Sequence, residues 1–98
     1  MSKVRRKTLV LLPTYNEHPT LQALSQQVLD ISPVDICVID DNSPDGTGRL
    51  ARDLASRSDR IHVLERQRKD GLGKAYIAGF RYALERGYER IVQMDADF

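Results

Sequence analysis

Two acidic clusters stand where a chain could do chemistry. Asp95-Ala96-Asp97 puts two carboxylates two residues apart, directly after the apolar run Ile91–Met94. At a strand end such a pair can face one hard cation, or divide between a cation and a ligand hydroxyl. Mg²⁺ takes one or two carboxylates and completes its shell with phosphate oxygens and water. Taken alone, a D-x-D triplet also arises by chance or as a helix cap. Asp40-Asp41 follows the apolar run Val34–Ile39. Read functionally, one of its carboxylates accepts from a nucleobase N–H and the other orients the loop. Read structurally, the pair is a turn and cap element, and Asn42, Ser43 and Asp45 need no role beyond the turn.

A third block, Pro13-Thr14-Tyr15-Asn16-Glu17, follows the first apolar run. A loop tyrosine there can stack on a base, and Glu17 can accept from ribose hydroxyls as an acidic residue does in dinucleotide folds. A partly buried packing aromatic is the other reading of Tyr15. Gly71-Leu72-Gly73-Lys74 lacks the G-x-x-x-x-G-K spacing of a phosphate-binding P-loop. It reads as a helix-start turn, or as a place where backbone approaches a ligand closely. Arg66, Arg68 and Lys69 beside it can meet phosphates, whereas Arg5, Arg6 and Lys7 read as solvated surface. His18 caps a helix or faces solvent, His62 packs within a strand, and neither is assigned a role.

These blocks need a scaffold that gathers them. Thr8–Leu12 is a short apolar run closed by Pro13, as in a buried strand. Pro19 suits the first turn of a helix whose apolar face is Leu21, Leu24 and Val28, broken by Ser32 and Pro33. Val34–Ile39 is almost continuously apolar, as a parallel strand covered on both faces must be. Thr47 is placed to cap a second helix carrying Leu50 and Leu54. Ile61–Leu64 predicts a third strand, and Asp70–Gly73 a turn. Ile77, Phe80 and Leu84 mark a third helix that stops near Gly87, and Ile91–Met94 predicts a fourth strand. The order β-α-β-α-β-α-β predicts an α/β fold, a parallel sheet with helices on both faces. Right-handed crossovers put every strand carboxyl end on one edge, where ligands bind in open α/β sheets. The polar clusters follow the first, second and fourth strands.

The 98 residues suffice for one small domain. With 41% hydrophobic and 30% charged residues the composition is that of an ordinary soluble protein. A formal net charge of +1 gives no basic field to advertise nucleic acid. Cys37 is the one cysteine, so it has no internal disulfide partner and reads as a small buried hydrophobe. No run approaches the roughly 20 apolar residues of a membrane span, and the N-terminus has no signal-peptide h-region. The expectation is therefore a cytoplasmic location. Because the last acidic cluster touches the C-terminus, the chain is expected to be the N-terminal part of a longer protein.

Together the ordered blocks Pro13–Glu17, Asp40–Thr47, Gly71–Tyr76 and Met94–Asp97 resemble the signatures of family 2 GT-A glycosyltransferases. The last two are similar to those of dolichyl-phosphate and polyprenol-phosphate mannose synthases. The resemblance runs from Thr8 to Phe98, with Asn42 standing where the family often has Gly. It implies a Rossmann-like GT-A nucleotide-sugar-binding half, with residues 1–98 as a donor-binding domain truncated after the D-x-D motif. It also implies that Pro13, Tyr15 and Glu17 line the nucleoside and that Ile39 and Asp41 close the base pocket. Asp95, Ala96 and Asp97 would hold the donor diphosphate through Mg²⁺ or Mn²⁺, with Asp95 and Asp97 as metal ligands. The implied reaction is transfer of mannose from GDP-mannose to a polyprenyl (dolichyl) phosphate, with inversion, at the cytoplasmic face of a membrane. No residue is assigned a covalent or proton-transfer role, and the 98-residue chain alone is expected to be inactive. A UDP-sugar donor, or a non-catalytic nucleotide- and Mg-binding α/β module, are the alternatives. A nucleotidyltransferase would need a basic, glycine-rich loop after the first strand, which Pro13–Glu17 is not. A receiver-like domain would carry its acid pair after the first strand, not the second.

Overall fold

The computed structural model describes residues 8–14, 18–31, 34–40, 46–67 and 72–94. The elements are β1 (Thr8–Thr14), α1 (His18–Ile31), β2 (Asp35–Asp40), α2 (Thr47–Arg57), β3 (Ile61–Glu65), α3 (Leu72–Glu85) and β4 (Arg90–Gln93). All strand pairings are parallel, in the order β3-β2-β1-β4. The chain steps from β1 to β2 to β3 in one direction, then returns to β4 on the far side of β1. Crossovers of a single hand then require α1 and α2 on one face and α3 on the other.

The packing has that arrangement. Val10, Leu12, Ile36, Val38 and Ile61 form one core cluster with Val28 of α1 and Ala51 and Leu54 of α2. The alternate positions Leu9, Leu11, Cys37 and Ile39 form the other, with Ala75 and Ala83 of α3 and Tyr88. Strand residues alternate between faces with period two. Two covered faces therefore demand the unbroken apolar runs seen in β1 and β2.

Several boundaries differ from the sequence expectation for identifiable reasons. β1 does not close at Pro13 but continues to Thr14, paired with β2 through Pro13↔Ile39 and Thr14↔Asp40. What stops at this point is the other ladder. β1 and β4 pair only as far as Leu11↔Gln93, followed by a bond from the Met94 N–H to the Leu11 carbonyl. Alternate residues of a parallel strand bond to the same side, so Pro13 would be the next donor toward β4, and it has no N–H. Thr47 is not a side-chain cap. It is the first residue of α2, fully buried, and Gly46 occupies the cap position at φ 89° without any side-chain bond. The Gly46 carbonyl accepts the Leu50 N–H at 3.0 Å, so α2 begins there through its backbone.

Leu72 and Gly73 belong to α3 rather than to a turn before it. Ile77 and Leu84 mark that helix by their spacing, yet they are 52% and 69% exposed. The face against the sheet is Ala75, Gly79 and Ala83, flanked by half-buried Tyr76, Phe80 and Tyr82. A Cβ on Gly79 would sit 2.7 Å from Ile39 Cδ1 and 2.9 Å from Leu11 Cδ1. The helix lies that close to β1 and β2 only because its inner stripe is small. α3 ends in a Schellman motif: the Tyr88 N–H bonds the Ala83 carbonyl, the Gly87 N–H bonds the Leu84 carbonyl, and Gly87 takes φ 78°. Val28 faces the core as expected, while the side chains of Leu21 and Leu24 lie outside the described ones, as do residues Ser32 and Pro33.

Candidate functional site

The carboxyl edge of the sheet is built by the last residues of three strands in register, Thr14↔Asp40↔Glu65. By alternation all three belong to the α1/α2 face. Thr14 is 3% and Asp40 2% exposed. The Thr14 hydroxyl donates to Asp40 Oδ1 at 3.1 Å and lies 3.4 Å from the Ile39 carbonyl. The other Asp40 oxygen, Oδ2, would be 2.8 Å from a Cβ on Gly48, and Glu65 Oε1 would be 3.4 Å from it. The Asp40 carboxylate thus lies against the first turn of α2, where unsatisfied N–H groups and the helix dipole favour negative charge. The Asp40 carbonyl accepts the Arg66 N–H at 2.8 Å as the chain leaves β3. Glu65 also pairs with Arg52 of α2.

On the opposite face Pro13 and Ile39 are paired and buried. The Ile39 side chain is 0% exposed, in the cluster beneath α3. It backs the edge from inside the core rather than presenting a side chain at the surface. Tyr15, Glu17, Asp41, Asp95, Ala96 and Asp97 lie outside the described residues, as do Arg68, Lys69 and Gly71. Their immediate chain neighbours are placed: Thr14 precedes Tyr15, Asp40 precedes Asp41, and Met94, bonded to Leu11, precedes Asp95. The attachment points of three of the four motif blocks are therefore at this edge. The β1/β4 boundary, where the strand order reverses, is the topological switch point at which open α/β sheets bind ligands.

Among the described residues no group of three or more His, Cys, Asp or Glu side chains is placed to hold a metal ion. Asp40 is bonded to Thr14 and lies against the first turn of α2. Among the described residues no helix is long and apolar enough to cross a membrane.

A second polar cluster lies at the amino end of β2, away from this edge. Tyr88 donates its hydroxyl to Asp35 Oδ2 at 2.6 Å, and His62 Nε2 lies 3.3 Å from that hydroxyl and 3.5 Å from Asp35 Oδ2. Tyr82 and Tyr88 both meet the His62 ring edge-on. His62 is packed, as its place in a strand suggested, but Asp35 and its partners were not legible as a network. Burial pushes the Cys37 thiol up to about 12, opposed by the nearby Arg86 charge, so at neutral pH it is protonated and inert.

The family model for glycosyl transferase family 2 matches residues 9–98. The polyprenol monophosphomannose synthase of Mycolicibacterium smegmatis is 52% identical over 94 residues, 94% of this chain and 36% of that protein. The undecaprenyl-phosphate mannosyltransferase of Micrococcus luteus is 51% identical over 92 residues, 93% of this chain and 38% of that protein. The chain thus spans little more than a third of the length of these two relatives. A mannosyltransferase from Pyrobaculum calidifontis, solved in complex with GDP-Man and Mn²⁺, superposes with a TM-score of 0.71 at 26% identity, over 82% of this chain and 25% of that one. Motifs, parallel GT-A-type sheet and sequence agree: the chain belongs to glycosyl transferase family 2.

Proposed function

We propose that this chain is the donor-binding part of a polyprenyl-phosphate mannosyltransferase, moving mannose from GDP-mannose to a polyprenyl phosphate with inversion. The observation that carries this reading is the 52% identity to the polyprenol monophosphomannose synthase over 94 residues, which covers 94% of the chain. The Pyrobaculum calidifontis neighbour supports the choice of GDP-mannose and of a divalent cation, because its structure contains GDP-Man and Mn²⁺.

Within this reading, Tyr15 stacks on the base, Glu17 accepts from the ribose, and Asp41 accepts from a base N–H. Pro13 and Ile39 supply the rigid, buried floor from which the Tyr15 and Asp41 loops leave. Asp95 and Asp97 are hard oxygen donors, a chemistry that suits Mg²⁺ or Mn²⁺ shared with a diphosphate. Bound there, the ion neutralises charge on the departing nucleoside diphosphate. The acceptor phosphate oxygen forms a bond to the sugar C1 as the bond from C1 to the diphosphate oxygen breaks, and GDP leaves. A phosphate dianion is already nucleophilic, so the chain need not supply a strong base. The protein works at the membrane surface where its lipid acceptor resides, on the cytoplasmic side.

The test is calorimetry with the full-length protein in Mn²⁺. GDP binds more tightly than UDP, and Asp41→Ala weakens GDP by about 1–3 kcal/mol through loss of a buried hydrogen bond. Preference for UDP would remove the mannose donor, and unchanged GDP affinity in the variant would remove Asp41 from the base pocket.

A further inference from the structure

We infer that Asp40 is a positioning residue, the tie that holds the ends of β1, β2 and β3 in mutual register at the roots of the proposed ligand-binding segments, with Thr14 and Gly48 as the other parts of the device. This deepens the proposed function and rests on it where nucleotide binding is concerned. Asp40 is joined to the architecture of the carboxyl edge through both its side chain and its carbonyl. Its Oδ1 takes the Thr14 hydroxyl at 3.1 Å, at the root of the Tyr15–Glu17 loop. Its Oδ2 lies against the first turn of α2, at the far end of the Asp41–Asp45 loop, close enough that a Cβ on Gly48 would stand 2.8 Å away. Its carbonyl takes the Arg66 N–H at 2.8 Å, where the chain sets out toward Arg68, Lys69 and α3. The exits of β1, β2 and β3 and the entrance of α2 thereby converge on one residue that is 2% exposed.

A buried carboxylate is retained only where its lone pairs are satisfied. Simple stability would be served as well by an apolar pair at Thr14 and Asp40, like those directly beneath them. The hydroxyl–carboxylate pair adds direction: it fixes the separation of two adjacent strand ends at the point where their loops begin. Small displacements of binding groups are costly, so a polar tie at the loop roots sets the geometry of Tyr15, Glu17 and Asp41 without touching ligand. Gly48 belongs to the same device, since a larger residue would push on the carboxylate.

Four variants of the full-length protein test this: Asp40→Asn, Thr14→Val, Gly48→Ala and the conservative Thr14→Ser. Two readouts are taken, GDP affinity in Mn²⁺ and amide hydrogen exchange. In the first three, exchange quickens about tenfold, the scale of one lost hydrogen bond, in residues 15–17, 41–45 and 66–71 together. Exchange in α3 beyond its first turn stays unchanged. GDP affinity falls by a similar factor, while Thr14→Ser keeps both near the parent values. Asp40→Asn puts an amide N–H₂ or a neutral oxygen against the α2 terminus; should it fold poorly, Thr14→Val, nearly isosteric, carries the test. Loss of melting temperature with exchange unchanged in these loops would overturn the inference and leave Asp40 a stability residue. If the parent protein binds no GDP, the proposed function fails, and the exchange data alone still decide the tie.

Discussion

Two glycines of α3 offer the same substitution in opposite surroundings. Gly79 faces the sheet, and an added methyl would meet Ile39 Cδ1 at 2.7 Å and Leu11 at 2.9 Å and 3.0 Å. Both of those side chains are 0% exposed, so their methyl ends would have to turn aside within the core. Overpacking of this kind costs about 1–3 kcal/mol, and alanine's helix preference returns roughly 1 kcal/mol of it. Gly79→Ala is therefore expected to destabilise by up to about 2 kcal/mol. Gly73 has nothing within 4 Å of a built Cβ. Gly73→Ala should keep the helical gain and stabilise by up to about 1 kcal/mol, less any reduction because it lies in the first turn. The comparison is made by urea denaturation with a shared m-value. On a domain of this size each kcal/mol moves the melting temperature by roughly 4–8 °C, so the two variants should separate, with Gly73→Ala the more stable. If both move in the same direction by similar amounts, the close approach of α3 to β1 and β2 is not what selects glycine at position 79. GDP binding adds a second reading. Gly79→Ala displaces Ile39, the neighbour of Asp40, and is expected to weaken the nucleotide. Gly73→Ala weakens it only if the Gly71–Lys74 backbone approaches the donor.

Tyr88→Phe removes the 2.6 Å bond to buried Asp35 and is expected to cost about 1–3 kcal/mol of stability. It should leave GDP affinity unchanged, because that cluster sits at the opposite edge from the motifs; a changed affinity would tie the two edges together. The Cys37 thiol ionises near 9.0 when unfolded and near 12 when folded. Its contribution is therefore complete below pH 9 and lost as pH rises from 9 to 12. The stability difference between parent and Cys37→Ala should shrink across that window, and a flat difference would show that the thiol is not shielded. Asp95→Ala and Asp97→Ala should each weaken Mn²⁺ binding measured by electron paramagnetic resonance in the presence of GDP. Tight binding of Mn²⁺ without nucleotide would point to a dedicated cage instead.

The sheet was readable because both its faces are covered. Leu9–Leu12 and Ile36–Ile39 carry no polar interruption, and that pattern has one cheap structural solution, a central parallel strand. The helices were legible in place but not always in orientation. Apolar spacing at Ile77, Phe80 and Leu84 located α3, yet Ile77 and Leu84 face outward. Hydrophobicity alone favours the large residues as the inner face. Proximity decides otherwise, because a helix seated this close to Leu11 and Ile39 needs alanine and glycine beneath it. Thr47 misled for a related reason: threonine before a helical run signals a cap, but the left-handed Gly46 had already made the turn, leaving Thr47 to be buried as the first helical residue.

The acid pair Asp40-Asp41 is the point at which sequence and structure need each other. From residue type and spacing alone the two carboxylates are interchangeable, and the readings as base contact and as turn element compete. Strand alternation separates them. Asp40 is still within β2, its side chain turned to the α1/α2 face by the same parity as Ile36 and Val38. There the nearest partners are a buried hydroxyl and a helix N-terminus, both of which hold a carboxylate in place. Asp41 follows Asp40 in the chain and lies outside the described residues. Asp40 thus has a structural place in the strand end rather than in a turn, and the ligand-facing role is proposed for Asp41. Thr14, the last residue of β1, is set on the same face by the same parity and bonded to Asp40. On the inference drawn above, changes just past the strands alter the ligand contacts themselves, while changes at Thr14 and Asp40 alter where those contacts stand.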